Sequence, residues 1–342
     1  MPAEWEPHAA TWIAWPHNTT DWPGRFGPIP WVFGEMIRRI APRERVRLLV
    51  NERTEGQARR VLTALAVDLQ QIDFLRVPTD RGWTRDTGPI FVRRAGPPAE
   101  TAIARFRFNA WAKYPEWRKD DKIPERAAKR FGYPLHAIRA GDRDVVLEGG
   151  SIDVNGLGTL ITTEECLLDP EVQTRNPGLD RAEIETALRE ALGVTNVLWL
   201  GRGIAGDDTH GHVDDLCRFV DARTVVLCHE ANTRDANYRA LKENRERLNG
   251  MRLEDGSGLE IVDLPMPAPL VFRGQRLPAS YANFYVANGA VLVPTFNDPN
   301  DRVALGILGQ VFDDRPIIGI HAVDLVWGLG TIHCLTQQEP AV

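Results

Sequence analysis

The chain carries one arrangement of elements four times over: strand, strand, helix, strand. Paired strand patterns occur at 90–109, 151–163, 216–229 and 281–296, so their starts are spaced by 61, 65 and 65 residues. The turns between them hold Gly96-Pro97-Pro98, Asn155-Gly156, Asp221-Ala222-Arg223 and Asn288-Gly289. Asn-Gly between apolar runs is a strong hairpin signal. Each pair is followed by apolar residues at helical spacing, at 119–130, 180–192, 234–248 and 301–312. A further strand pattern ends each unit, at 135–139, 195–200, 259–264 and 317–321.

A fifth copy is permuted across the termini. Segments 331–336 and 10–15 read as its hairpin, with helices at 31–40 and 55–68 and strands at 45–50 and 71–77. Repeats of this period form a ring or stack of supersecondary units. Pairing the first and last strands in one unit would close the ring and remove its edges. Length alone, 342 residues, favours two domains. Ring architectures run longer as one unit, and the expectation is a single α/β domain over 1–342.

Composition narrows the partners. With 43% hydrophobic and 26% charged residues the chain can bury a large core. Its net charge of −6 argues against nucleic acid and anionic membranes. Residues 1–6 are acidic rather than basic and lack an apolar run, unlike a secretory leader. No stretch approaches the roughly 18 apolar residues that a membrane span needs. Four cysteines without CxxC spacing read as reduced thiols of a cytoplasmic protein. The oligomeric state stays open, homodimer and higher homo-oligomer included.

Four polar segments fall at equivalent places, just before or within the first strand of successive units. Asp86 precedes the hairpin at 90, Glu148 that at 151, and His212 and Asp214 that at 216, while Cys334 lies in the fifth. Equivalent positions in a ring converge on its axis. The expected pocket therefore holds one thiol, one or two imidazoles and several carboxylates, which suits a small cationic substrate.

Each residue also has a plainer reading. Cys334 could be a buried core thiol, but its polar neighbourhood favours a nucleophile. Cys166, Cys217 and Cys228 sit in strand patterns and read as structural. Asp207 and Asp208 fit a solvated acidic loop. His210, His212 and Asp214 alternate, so on a strand they would share a face, and a metal-dependent hydrolase built on them competes with the thiolate reading. Glu148 could merely end a strand, yet a carboxylate drawn inside needs a partner such as His212. Asp86 could pair with Arg85 at the surface, and Trp83 could be core. His8, His17, His136, His229 and His321 read as structural or surface residues.

Taken in order, these segments resemble the guanidine-modifying (pentein) superfamily, and within it the agmatine deiminase group, related to the bacterial-type peptidylarginine deiminases. The similarity runs almost the full length: the opening PAEWEPH (2–8) and TWIAWP (11–16), then WTRDTGP (83–89), RFNAW (107–111), LEGGSIDVNGLGT (147–159), GHVDD (211–215) and IHCLTQQ (332–338). The resemblance implies a five-bladed pseudo-symmetric α/β propeller of ββαβ repeats. It implies Cys334 as nucleophile, His212 as general acid/base and Glu148 hydrogen-bonded to His212. Asp86 and Asp214 would grip the guanidinium, with Trp83 against the methylenes, and no cofactor or metal is implied. Deimination of agmatine is the activity expected. Free arginine, peptidylarginine or another guanidino compound is the alternative substrate, and a guanidine- or polyamine-binding protein without turnover is a third reading. Three segments depart from the group's pattern: Ala112-Lys113-Tyr114 in place of a Gly-Gly pair, His210 in place of Asn or Asp, and Gly328-Leu329-Gly330-Thr331 before the thiol. All three are expected to line the pocket mouth.

Overall fold

The computed structural model describes residues 1–94, 96 and 99–342; the Pro97-Pro98 half of the first expected turn lies outside the described residues. The repeat appears as five mixed sheets. Ile90–Arg94 pairs antiparallel with Glu100–Arg105, which pairs parallel with Leu135–Ala137. The same order recurs in Asp153–Val154, Thr159–Thr163 and Asn196–Leu200. It recurs again in Cys217–Phe219, Thr224–His229 and Glu260–Pro265, and in Tyr285–Ala287, Ala290–Thr295 and Ile317–His321. The fifth sheet joins the ends of the chain: Gln337–Pro340 pairs antiparallel with His8–Ala14, and Arg45–Val50 and Ile72–Arg76 add in parallel.

A helix makes each parallel crossover, as that connection requires. Arg181–Leu192 shows why the sequence folds this way locally. Asp180 and Glu183 form a reciprocal capping box, Gly193 takes the left-handed position past the last turn (φ 69°), and Ile184, Ala187, Leu188 and Leu192 face inward at helical spacing. Middle strands such as Thr159–Thr163 and Thr224–His229 are buried almost throughout and run apolar or β-branched without alternation. Asn288-Gly289 makes the two-residue hairpin, with Ala287 opposite Ala290. Asn155-Gly156 does not: the turn spans residues 155–158, and the Asn155 side chain accepts from the backbone N–H of Leu157, Gly158 and Thr159. Among the described residues no helix is long and apolar enough to cross a membrane.

The segments before the first strands are single helical turns. Thr84–Thr87, Gly149–Ser151, Val213–Asp215 and His333–Leu335 each make one. Two expectations change here. Cys334 lies in such a turn and not in a strand; the strand begins at Gln337. His212 caps a turn instead of alternating with His210 and Asp214 along a strand. One turn of helix concentrates several side chains at a point where an extended strand would spread them along a line.

Candidate active site

The four turns meet, and Gly150 marks the meeting point. A Cβ added there would stand 2.6 Å from His212 Nδ1, 2.9 Å from Asp86 Oδ1 and 3.0 Å from Asp214 Oδ2. Only glycine lets those three side chains close on one another, and its N–H donates to Asp86 Oδ1 at 3.0 Å. Cys334 Sγ lies 3.8 Å from Asp214 Oδ2. Five of the six residues singled out in the sequence are thereby brought together, since Glu148 Oε2 is 3.4 Å from His212 Nε2. The sixth, Trp83, packs on Trp22 with ring centres 5.2 Å apart. It also walls a cavity of about 270 Å³ that reaches Cys334, so it is both core and pocket.

The charges inside follow from burial and pairing. Burial pushes Glu148 up, but Arg175, whose Nε donates to it at 3.0 Å, and His212 outweigh that and hold it below the usual carboxylate range. Burial pushes His212 down, yet Asp86, Cys166 and Glu148 raise it well above the ordinary imidazole value. It is therefore an imidazolium at neutral pH. Burial, together with Asp214 and Glu148, lifts Asp86 to about 6, although His212 opposes it. Asp214 is held low against burial by the hydrogen bond and charge of His333. Burial and the charges of Asp214 and Asp207 push Asp215 well above the usual carboxylate range. Cys334 is raised well above the usual thiol range, by burial first and then by Asp214, Asp215 and Asp86. At neutral pH Cys334 is thus a thiol, not a thiolate.

Two buried polar atoms at the centre have no partner, His212 Nδ1 and Asp214 Oδ1. Asp214 Oδ2 accepts from His333 Nδ1 at 2.6 Å. Both oxygens of Asp86 accept one hydrogen bond, from Gly150 N and from Trp111 Nε1 at 2.9 Å, which leaves further lone pairs toward the cavity. The thiol, the imidazolium and two carboxylates with spare acceptor capacity therefore surround one small space. Planar N–H donors on a delocalised cation fit that space.

Several participants escaped the sequence reading. Cys166, read as structural, shares a cluster with His212 and Glu148 in which the ligand atoms lie within 4.8 Å. Arg85 makes no surface pair with Asp86; it is buried and donates to Glu4 and Gln338. Asp207 and Asp208 are not a solvated loop. Asp207 ties the backbone of Thr209, Gly211 and His212, while Asp208 accepts from Lys113 and Tyr114. His210 has φ 64° and turns its Nε2 to Asp169 at 2.8 Å. Of the two tight clusters of metal-type ligands among the described residues, neither contains His210, so His210, His212 and Asp214 do not converge. Asn283 was missed although the pattern pointed to it: it precedes the first strand of the fourth unit, the one unit without an assigned residue. Its Nδ2 lies 3.1 Å from Cys334 Sγ and 2.9 Å from Asp215 Oδ1.

Trp111 reaches Asp86 from a strained support. Ala110, Trp111 and Ala112 are consecutive left-handed residues, with φ of 53°, 57° and 52°. Each costs roughly 1–2 kcal/mol in an L-residue, and such strain concentrates where function fixes geometry.

Comparison with known proteins points to deiminases. Residues 1–340 match the Porphyromonas-type peptidyl-arginine deiminase family. The agmatine deiminase of Ectopseudomonas mendocina (strain ymp) is 36% identical, across all of this chain and 95% of its own length. That of Pseudomonas aeruginosa (strain LESB58) is 35% identical with the same coverage. Among solved structures, the agmatine deiminase of Enterococcus faecalis superposes with a TM-score of 0.90 at 30% identity, covering 99% of this chain and 95% of its own. A substrate-bound agmatine deiminase of C. jejuni superposes at 0.85 with 28% identity, again over 99% and 95%.

Proposed function

The chain belongs to the Porphyromonas-type peptidyl-arginine deiminase family, and from that premise we propose that it hydrolyses agmatine to N-carbamoylputrescine and ammonia, a step toward putrescine. The observation that carries the reading is the pairing of Asp86 and Asp214 beside Cys334, with Asp214 Oδ1 unpartnered and His212 Nδ1 facing the same space. We read the five sheets as the blades of one propeller and the whole chain as one domain, supported by the identical strand order in four units and the joined termini in the fifth. Four free cysteines support a reducing, cytoplasmic setting.

The reaction starts from a thiol. A guanidinium keeps its proton at neutral pH, with a pKa of roughly 12–14, and resonance makes its carbon a poor electrophile. Asp86 and Asp214 would hold the N–H edges and turn one face of the carbon to sulfur. The bound cation offsets the carboxylates that keep the Cys334 proton on, so on binding the thiol releases that proton to solvent and the thiolate forms in the complex. Sulfur attacks the carbon, and a tetrahedral adduct forms. His212, already charged, protonates the departing ammonia. The neutral imidazole then takes a proton from water, whose oxygen attacks the S-alkylthiouronium carbon; the C–S bond breaks as the new hydroxyl becomes the ureido carbonyl, and its proton returns to sulfur to restore the thiol. Glu148, anchored by Arg175, orients the imidazole and stabilises its charged form, as the third member of a triad does.

The test is a ureido-product assay of the purified protein on agmatine, arginine and a blocked arginyl peptide, with EDTA present throughout. Product from agmatine, lost in Cys334→Ala, is expected. Product from arginine or the peptide alone would overturn the substrate. Activity lost to EDTA and restored by Zn²⁺ would overturn the mechanism.

A further inference from the structure

The cavity wall carries two carboxylates away from the reacting centre, Asp21 and Asp208. Asp208 is fully engaged, one oxygen with Lys113 and the other with Tyr114. Asp21 is not. Its Oδ1 accepts from Arg81 Nη1, its side chain is 1% exposed, and its Oδ2 is buried with no partner. Leaving such an acceptor empty costs roughly 1–3 kcal/mol. An orphan of this kind calls for a donor that arrives from outside. Arg81 is fixed in turn, with its guanidinium carbon 4.3 Å from the centre of the Tyr114 ring, so Asp21 is held against a rigid wall. The same cavity is bordered by Trp83, Trp327 and the Gly328–Gly330 segment and reaches Cys334, which gives it an apolar surface suited to methylenes.

We infer that Asp21 Oδ2 receives a second cation of the substrate, the ammonium at the far end of its methylene chain. This rests on the deiminase reading and adds the selector that reading lacks. Asp21 is a binding residue for the end of the molecule that does not react. A substrate ending in a carboxylate would meet like charge there, and a neutral alkyl end would leave the acceptor empty. Asp21 is pushed by burial up to about 6 in spite of Arg81, so it is ionised at neutral pH and complementary to an ammonium. Arg81 Nε, also unpartnered, is the group that a carboxylate-ended substrate would use instead.

The experiment compares kcat/KM for agmatine and for n-butylguanidine, the same chain without its amine, in the wild type and in Asp21→Asn at pH 7.5. The wild type is expected to favour agmatine by roughly 10- to 100-fold, the worth of one charge-assisted hydrogen bond, and the variant to bring the ratio near unity. An unchanged ratio in Asp21→Asn overturns the inference. If that variant fails to fold, the wild-type ratio decides alone, since a value near unity also overturns it. Preference for arginine over agmatine overturns it in favour of Arg81. Equal turnover of both guanidines removes only the ammonium site, whereas turnover of neither guanidine removes the deiminase reading and the inference with it.

Discussion

His333 Nδ1 donates to Asp214 Oδ2 at 2.6 Å, while His333 Nε2 lies 2.8 Å from Glu4 Oε2. One imidazole therefore joins Asp214, the carboxylate beside Cys334, to a second, buried one. Glu4 is itself pushed up by burial but held well below its usual range by Arg218, His333 and Arg85. The chain of charges keeps Asp214 ionised where burial alone would protonate it.

His333→Gln should therefore weaken substrate binding. Asp214 is depressed by His333, so its ionised form persists down to the lowered value. Asp86, at about 6, already sets the acid limb in the wild type; removing the imidazole lets burial raise Asp214 to join it, and the limb of kcat/KM should steepen and move to higher pH. At pH 7, KM should rise roughly 10- to 100-fold, the cost of losing a hydrogen bond to a charge. A pH–rate profile checks this; an acid limb that stays put would show that His333 does not control Asp214.

Alkylation tests the resting thiol. With Cys334 held above the usual thiol range, iodoacetamide should inactivate the free enzyme slowly at neutral pH, because the thiolate is the reacting form. The rate should still be rising beyond pH 9. A plateau below pH 8 would mean that the thiolate exists before substrate arrives.

Gly150→Ala should damage catalysis more than folding. The new methyl would press on His212 Nδ1, Asp86 and Asp214 at 3.0 Å or less, all side-chain atoms that can move. Displacing the acid and both carboxylates by a fraction of an ångström should cost roughly 100-fold in kcat/KM. Circular dichroism separates this from unfolding, and full activity in a folded variant would contradict the geometry.

Ala112→Gly should stabilise the protein. At φ 52° the alanine Cβ is strained, and relief of about 1–2 kcal/mol outweighs the greater entropy that glycine gives the unfolded chain. A thermal melt should show a higher Tm, and an unchanged or lower one would place the strain elsewhere.

The sequence made the repeat legible because hairpins and crossover helices are local: Asp180 with Glu183, or Asn288-Gly289, carries its instruction within a few residues. The carboxylates before the first strands could be read from the same register, and Asn283 could have been. What stayed hidden was the conformation of the connecting segments. GHVDD and IHCLTQQ alternate enough to read as strands, but tertiary contacts wind them into single helical turns, which sent His210 away from His212. Glu4, Arg175 and His333 were unreadable for another reason. Each is defined by a partner distant in sequence, 329 residues apart for Glu4 and His333, and no local pattern records such a pairing.

The strand at Gln337–Pro340 begins three residues after Cys334 and pairs with His8–Ala14, near the opposite end of the sequence. Contacts of such separation pay their loop-closure entropy before they return anything, and they form late. Asp86, Glu148, His212 and Asn283 are also drawn from separate units, each preceding the first strand of a different sheet. A partly folded chain would therefore have Cys334, His212 and the carboxylates scattered across disconnected surfaces. Turnover in this protein is a report on whether all five sheets have assembled.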